Sequence, residues 1–115
     1  MIPNLVDSHC HLDLPEFEGD IENIIARAAA VGVNRLVTIC TRLKNEPTVR
    51  SIAENHAPIF YAAGTHPMSA LEEPLVSLEE LIVLTQHPKM IGIGETGLDY
   101  YYTSESAQIQ KDSLR

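Results

Sequence analysis

The stretch Leu5–Asp13, LVDSHCHLD, is the one on which the reading of the chain turns. An apolar start runs into two histidines, His9 and His11, with Asp7 before them and Asp13 after. In an extended strand, residues two apart share a face, so both imidazoles would project together and Cys10 the other way. Asp7 has the same parity, and two roles are open to it: an acceptor that orients one ring, or a cap on the strand. The pair itself is either half of a metal site or two polar residues at a strand end. Short patterns of this kind occur by chance, and the pattern alone leaves both readings open.

Working outward, the same kind of apolar run returns as RLVTIC (35–40), IFYAAG (59–64) and MIGIGE (90–95), every two to three dozen residues. Near-continuous apolar runs suit strands buried on both faces, as in a parallel sheet. Helical patterns lie between them, implying right-handed crossovers. Asp20 is placed to cap IENIIARAAAV, whose Ile21, Ile24, Ile25 and Ala28 form one stripe, and Gly32 can end it in the left-handed region. Asn45, with Pro47 in the first turn, opens EPTVRSIAEN, with Val49, Ile52 and Ala53 facing inward. Ser77 and Glu80 have capping-box spacing at the start of SLEELIVLTQ. A fourth helix begins in TSESAQIQKDSLR, with Ser104 as its cap. The expectation is an α/β fold of four parallel strands and three to four helices, a single partial domain over 1–115 with no second domain. Four such units are half of a (β/α)8 barrel, which needs about 250 residues.

Composition narrows the function classes. The chain has 115 residues, 44% hydrophobic and 21% charged, the balance of an ordinary globular protein. No apolar run approaches the ~20 residues of a membrane span, and the start lacks the pattern of a signal peptide, so a cytoplasmic protein without a membrane partner is expected. Two cysteines, Cys10 and Cys40, make no disulfide framework and read as buried reduced thiols. Sixteen acids against eight bases give a net charge of −8, and the nearest thing to a basic cluster is Arg42 with Lys44. Such a surface repels a phosphate backbone, so a nucleic-acid substrate would need another grip, and a divalent metal could supply it.

Three strand ends carry the candidate chemistry. His9 and His11 end the first apolar run. Glu95 ends the fourth, followed by the turn signal of Gly97, and a carboxylate there could coordinate or bridge metal ions. His66 lies just past the third, held by Pro67, where it could be a ligand, a phosphate donor or a proton carrier. In a parallel sheet all of these open onto one face, the strands' C-terminal end. His56 and His87 sit at helix C-terminal ends on the opposite side and read as structural. The run Tyr100, Tyr101 and Tyr102 could stack on a base or sugar, but reads better as packing at a strand exit.

Taken together and in order, DSHCHLD (7–13), GTHP (64–67), GETGLDYY (94–101) and SAQIQKDSLR (106–115) resemble the TatD family of metal-dependent hydrolases, amidohydrolase-type α/β barrels. The resemblance covers essentially the whole chain. It implies the first half of a TIM-type barrel, with one or two divalent cations (Mg, Mn or Zn). His9 and His11 match ligands of one ion, and Glu95 matches the carboxylate that bridges two. It implies hydrolysis of phosphodiester bonds, with DNA the substrate and deoxyribonuclease trimming from the 3′ end the specific form. The family's remaining ligands, two histidines and an aspartate suited to act as general base, come from later strands and have no counterpart here. The chain is therefore expected to be incomplete and nearly inactive alone, with a missing C-terminal half or a second copy needed to close the barrel. Two other readings stand beside this one. The first is a non-catalytic half-barrel that self-associates as a metal-binding or scaffold module. The second is an amide or lactone hydrolase on the same barrel.

Overall fold

A computed structural model describes residues 3–115. Strands and helices alternate: β1 (Leu5–Cys10), α1 (Ile21–Ala30), β2 (Val33–Cys40), α2 (Glu46–Asn55), β3 (Ile59–Ala63), α3 (Leu78–Thr85), β4 (Met90–Ile93) and α4 (Ala107–Leu114). The four strands form one sheet in the order β1-β2-β3-β4, all pairs parallel. The expected fold class is thus observed. Among the described residues no helix is long and apolar enough to cross a membrane.

The sheet has two unlike faces. Leu36 and Cys40 of β2 and Ile59, Tyr61 and Ala63 of β3 join Leu12, Val49, Ala53 and Met90 in one buried cluster, with Ile21, Ile24, Ile25 and Ile52 packed against it. This is the helix-covered side: it buries Val49 and Ala53 of α2 and half-buries the Ile21, Ile24 and Ile25 stripe of α1. On the other side only Val37, Ile39 and Ala62 are buried together. The flanking Val6, Ile91 and Ile93 stay exposed.

Helix ends follow the sequence unevenly. Ser77 and Glu80 form the full capping box of α3, with Glu80 N–H on Ser77 Oγ at 3.1 Å and Ser77 N–H on Glu80 Oε2 at 3.0 Å. Gly32 follows α1 at φ +92°, a conformation that disfavours any residue with a Cβ. Asp20 and Asn45 occupy N-cap positions, yet neither side chain bonds the helix backbone. Asp20 instead accepts from the side chains of Asn23 and Arg27. The cap of α4 is Ser106, not Ser104. Ser106 is buried, and its hydroxyl accepts from Gln110 Nε2 at 2.8 Å, one turn along the same helix.

Both thiols are reduced, Cys40 fully buried and Cys10 half-buried. Burial pushes each up to about 12 from the ordinary 9.0. Below the sheet, Lys89 Nζ donates to the carbonyls of Ala53, His56, Ala57 and Ile59 at 2.6–3.3 Å, pinning the end of α2 to β3. His56 and His87 lie at this end, as the sequence implies.

Candidate metal centre

The rim at the strands' C-terminal ends brings His9, His11 and Glu95 together. One ligand atom from each lies within 4.8 Å of the others. The strand alternation that should align the two histidines is not perfect. Pairing of β1 with β2 slips between Asp7 and Cys10, a bulge of the kind that re-aims side chains beside sites. Asp7 Oδ1 accepts the His9 backbone N–H at 3.0 Å, so the Asp7 carboxylate secures the backbone at this irregularity and does not orient a ring. The imidazoles of His9 and His11 still meet edge to face, with centroids 5.1 Å apart. Cys10 turns away, its Sγ 3.4 Å from the Val37 carbonyl.

Hydrogen-bond partners decide which ring atoms face the centre. His11 Nδ1 lies 3.1 Å from the Ile39 carbonyl, which can only accept, so Nδ1 carries the proton and Nε2 keeps its lone pair. His9 Nε2 stands 3.4 Å from Glu95 Oε2. That gap is longer than a good hydrogen bond, and it matches two donors each about 2.1 Å from one tetrahedral ion, which are roughly 3.4 Å apart. The set of two imidazoles and a carboxylate suits zinc, manganese or iron. The residues fit a divalent cation.

His66 is in the same cluster with the opposite polarity. Met68 N–H donates to its Nδ1 at 3.0 Å, so in the neutral ring the proton resides on Nε2, which lies 3.1 Å from Glu95 Oε1. His66 therefore presents a hydrogen-bond donor, where His11 presents a lone pair. Glu95 is gripped from both sides, Oε1 toward His66 and Oε2 toward His9. A cleft of about 260 Å³, lined by His9, Ile39, Ile93, Gly94, Glu95 and Thr96, opens over them. A larger groove of about 750 Å³ lies beside α3, lined by Leu75, Val76 and Val83, and contains no histidine.

The supporting shell was less visible in the sequence. A Cβ on Gly64 would fall 2.7 Å from the Glu95 carbonyl oxygen, so only glycine lets β3 approach the Gly94–Glu95 backbone this closely. The sole signal was a Gly at the end of the third apolar run. Glu73 accepts from the backbone of Leu43 at 2.8 Å and from the Thr65 hydroxyl at 2.5 Å, tying together the loops after β2 and β3. Fully buried Gln110 fixes the loop after β4, accepting from Asp99 N–H at 2.7 Å and donating to the Asp99 carbonyl at 2.9 Å. Nothing in the pattern singled out Glu73. The tyrosine run departs from expectation: Tyr100, Tyr101 and Tyr102 are 42%, 86% and 76% exposed, and Tyr101 and Tyr102 meet edge to face with centroids 4.9 Å apart instead of packing at the strand exit.

A parallel sheet with helices on one face and a histidine–carboxylate cluster at its strand-exit rim is that of a partial (β/α) barrel. The family model described as TatD related DNase matches residues 6–115, and the chain belongs to that family. It is 40% identical over 103 residues to the uncharacterized metal-dependent hydrolase YjjV of Escherichia coli (strain K12), covering 88% of this chain and 40% of that protein. It is 32% identical over 111 residues to the uncharacterized metal-dependent hydrolase YabD of Bacillus subtilis (strain 168), covering 96% of this chain and 44% of that one. The crystal structure of YJJV, a TatD homolog from Escherichia coli K12, superposes with a TM-score of 0.87 at 36% identity, over 99% of this chain and 45% of that chain. The chain thus spans less than half the length of the relatives it matches.

Proposed function

We propose that the chain contributes His9, His11 and Glu95 to a one- or two-cation centre that hydrolyses phosphodiester bonds, in its specific form a deoxyribonuclease trimming DNA from the 3′ end. The convergence of these three side chains at one rim carries the reading. Family membership and the relatives' description as metal-dependent hydrolases support it.

A divalent ion held there supplies Lewis acidity for phosphoryl oxygens and makes water a better nucleophile near neutral pH. The chain's own residues do the rest. The Ile39 carbonyl holds His11 in the tautomer whose Nε2 can coordinate. Glu95 offers Oε2 on the His9 side while its Oε1 is steadied by His66. His66 has one ring N–H, directed at Glu95 Oε1, and would donate to a phosphate oxygen by exchanging that contact. His9, His11 and Glu95 are read as ligands and no general base is assigned among them, so slow turnover is expected from these residues alone.

The test incubates the chain with manganese and a 5′-labelled single-stranded oligonucleotide. Slow shortening from the 3′ end, lost in Glu95→Ala, is expected. Cleavage of amides or lactones with no action on the oligonucleotide would overturn the substrate assignment.

Among the described residues the outer edges of β1 and β4 are unpaired, and with Leu5, Val6, Ile91 and Ile93 exposed they favour a second reading in which two copies close a barrel as a metal-binding or scaffold module. A concentration-independent dimer in light scattering supports it, and a monomer excludes it.

A further inference from the structure

The rim that carries the candidate centre is poor in cations. Residues 11–20, 41–45, 64–77 and 94–106 leave the four strands, and only the second of these loops contains Lys or Arg, namely Arg42 and Lys44. The same loops hold nine carboxylates: Asp13, Glu16, Glu18, Asp20, Glu72, Glu73, Glu95, Asp99 and Glu105. A polyanion approaching this face meets repulsion nearly everywhere, so a cation held in place here has disproportionate weight.

Arg42 is such a cation. Its Nη2 lies 2.6 Å from Glu72 Oε2, with the side chains 36% and 56% exposed. Among the described residues this is the only pairing of a Lys or Arg with a carboxylate that joins two strand-exit loops. The partners of Arg27, Arg50 and Arg115 lie in the same helix or at its end. Exposed pairs contribute little to stability. A bridge between two loops that stabilises little is a weak reason for an arginine, and a guanidinium takes phosphate in the same forked geometry as carboxylate. The backbone beside it is already part of the site. The Thr41 carbonyl accepts the His66 N–H at 2.8 Å, and His66 Nε2 reaches Glu95 at 3.1 Å.

We propose that Arg42 is the phosphate handle of this rim. Its guanidinium exchanges Glu72 for a second phosphate of the substrate, the neighbour of the one engaged at the His9–His11–Glu95 centre. Glu72 is its partner in the free protein. The inference rests on the phosphodiester reading and adds a preference for substrates with two or more phosphates. It concerns a residue that the candidate metal centre does not use.

The test is calorimetric, on the whole chain with saturating manganese, using a thymidine dinucleotide with one phosphate and a trinucleotide with two. The intact chain is expected to bind the trinucleotide more tightly. Arg42→Gln should weaken trinucleotide binding about tenfold, leave the dinucleotide unchanged, and reduce the salt slope by roughly 0.7. Arg42→Lys should recover part of the loss, keeping the charge without the fork. Glu72→Gln should tighten trinucleotide binding by freeing the guanidinium. Equal effects of Arg42→Gln on both probes, or none on either, would overturn the proposal. Manganese affinity in the same samples keeps the two readings apart. A chain that binds manganese but neither oligonucleotide removes the phosphodiester reading and Arg42 with it. A chain that binds both oligonucleotides equally removes only Arg42.

Discussion

The chain contains two His-Pro pairs, His66–Pro67 and His87–Pro88, built alike and used differently. In each, ring Nδ1 accepts the backbone N–H two residues on, from Met68 at 3.0 Å and Lys89 at 3.1 Å. In each, Nε2 faces a glutamate, Glu95 at 3.1 Å and Glu54 at 2.9 Å. The local sequence therefore sets the tautomer in both places. What differs is the end of the sheet. His87 lies at the strand-entry end, edge-on to Tyr61 with centroids 5.7 Å apart, beside the carbonyl clamp of Lys89. Glu54 belongs to α2, faces Arg50 of the same helix at 3.9 Å, and joins α2 to the turn before β4. His66 lies at the strand-exit end, and its glutamate also faces His9 at 3.4 Å. Identical chemistry is structural where its partners are satisfied, and site-forming where a carboxylate oxygen points to a second imidazole.

The largest effect should fall on the two glutamates. Glu95→Ala is expected to lower manganese affinity at least a hundredfold in a calorimetric titration, with little change in thermal midpoint. Glu54→Ala should leave manganese affinity unchanged. His87→Ala, which removes two hydrogen bonds, should cost about 1–3 kcal/mol and several degrees of midpoint, again with manganese binding intact. Manganese affinity that responds equally to both glutamates would dissolve the distinction between the two ends.

A smaller effect sharpens the geometry. Gly64→Ala forces the Glu95 backbone away from a contact of 2.7 Å, and should weaken manganese binding about tenfold, as loss of an outer support typically does. Unchanged affinity would mean that Glu95 is not held in place by this approach.

The smallest concerns the thiols beneath the site. Both are raised to about 12 in the fold from 9.0, so protonation favours the folded state. That contribution is complete below pH 9 and is lost as the pH climbs toward 12, because the unfolded chain releases the protons first. Alkylation by iodoacetamide at pH 8 should be slow in the folded chain and fast in denaturant. Rapid labelling of folded Cys40 would contradict its burial.

Much of this architecture is legible in the residues because it depends on near neighbours in sequence. Apolar runs mark the strands, the stripe of Ile21, Ile24 and Ile25 marks the buried face of α1, and Ser77 with Glu80 marks a helix start to the residue. The convergence of His9, His11 and Glu95 follows from parallel topology, which the alternation of runs implies. What escapes is set by groups far apart in the chain. The slip near His9 depends on β2, and the reach of Lys89 on four carbonyls between the end of α2 and the start of β3. No local pattern separates Ser104 from Ser106, or announces that Asp99 would be held by Gln110 and the tyrosines turned outward.

The most direct test is crystallographic: diffraction from manganese-soaked crystals at the metal's absorption edge. An anomalous peak bonded to His9, His11 and Glu95 at about 2.0–2.3 Å is the predicted result. A peak elsewhere on the molecule, or none beside these three side chains, would contradict it.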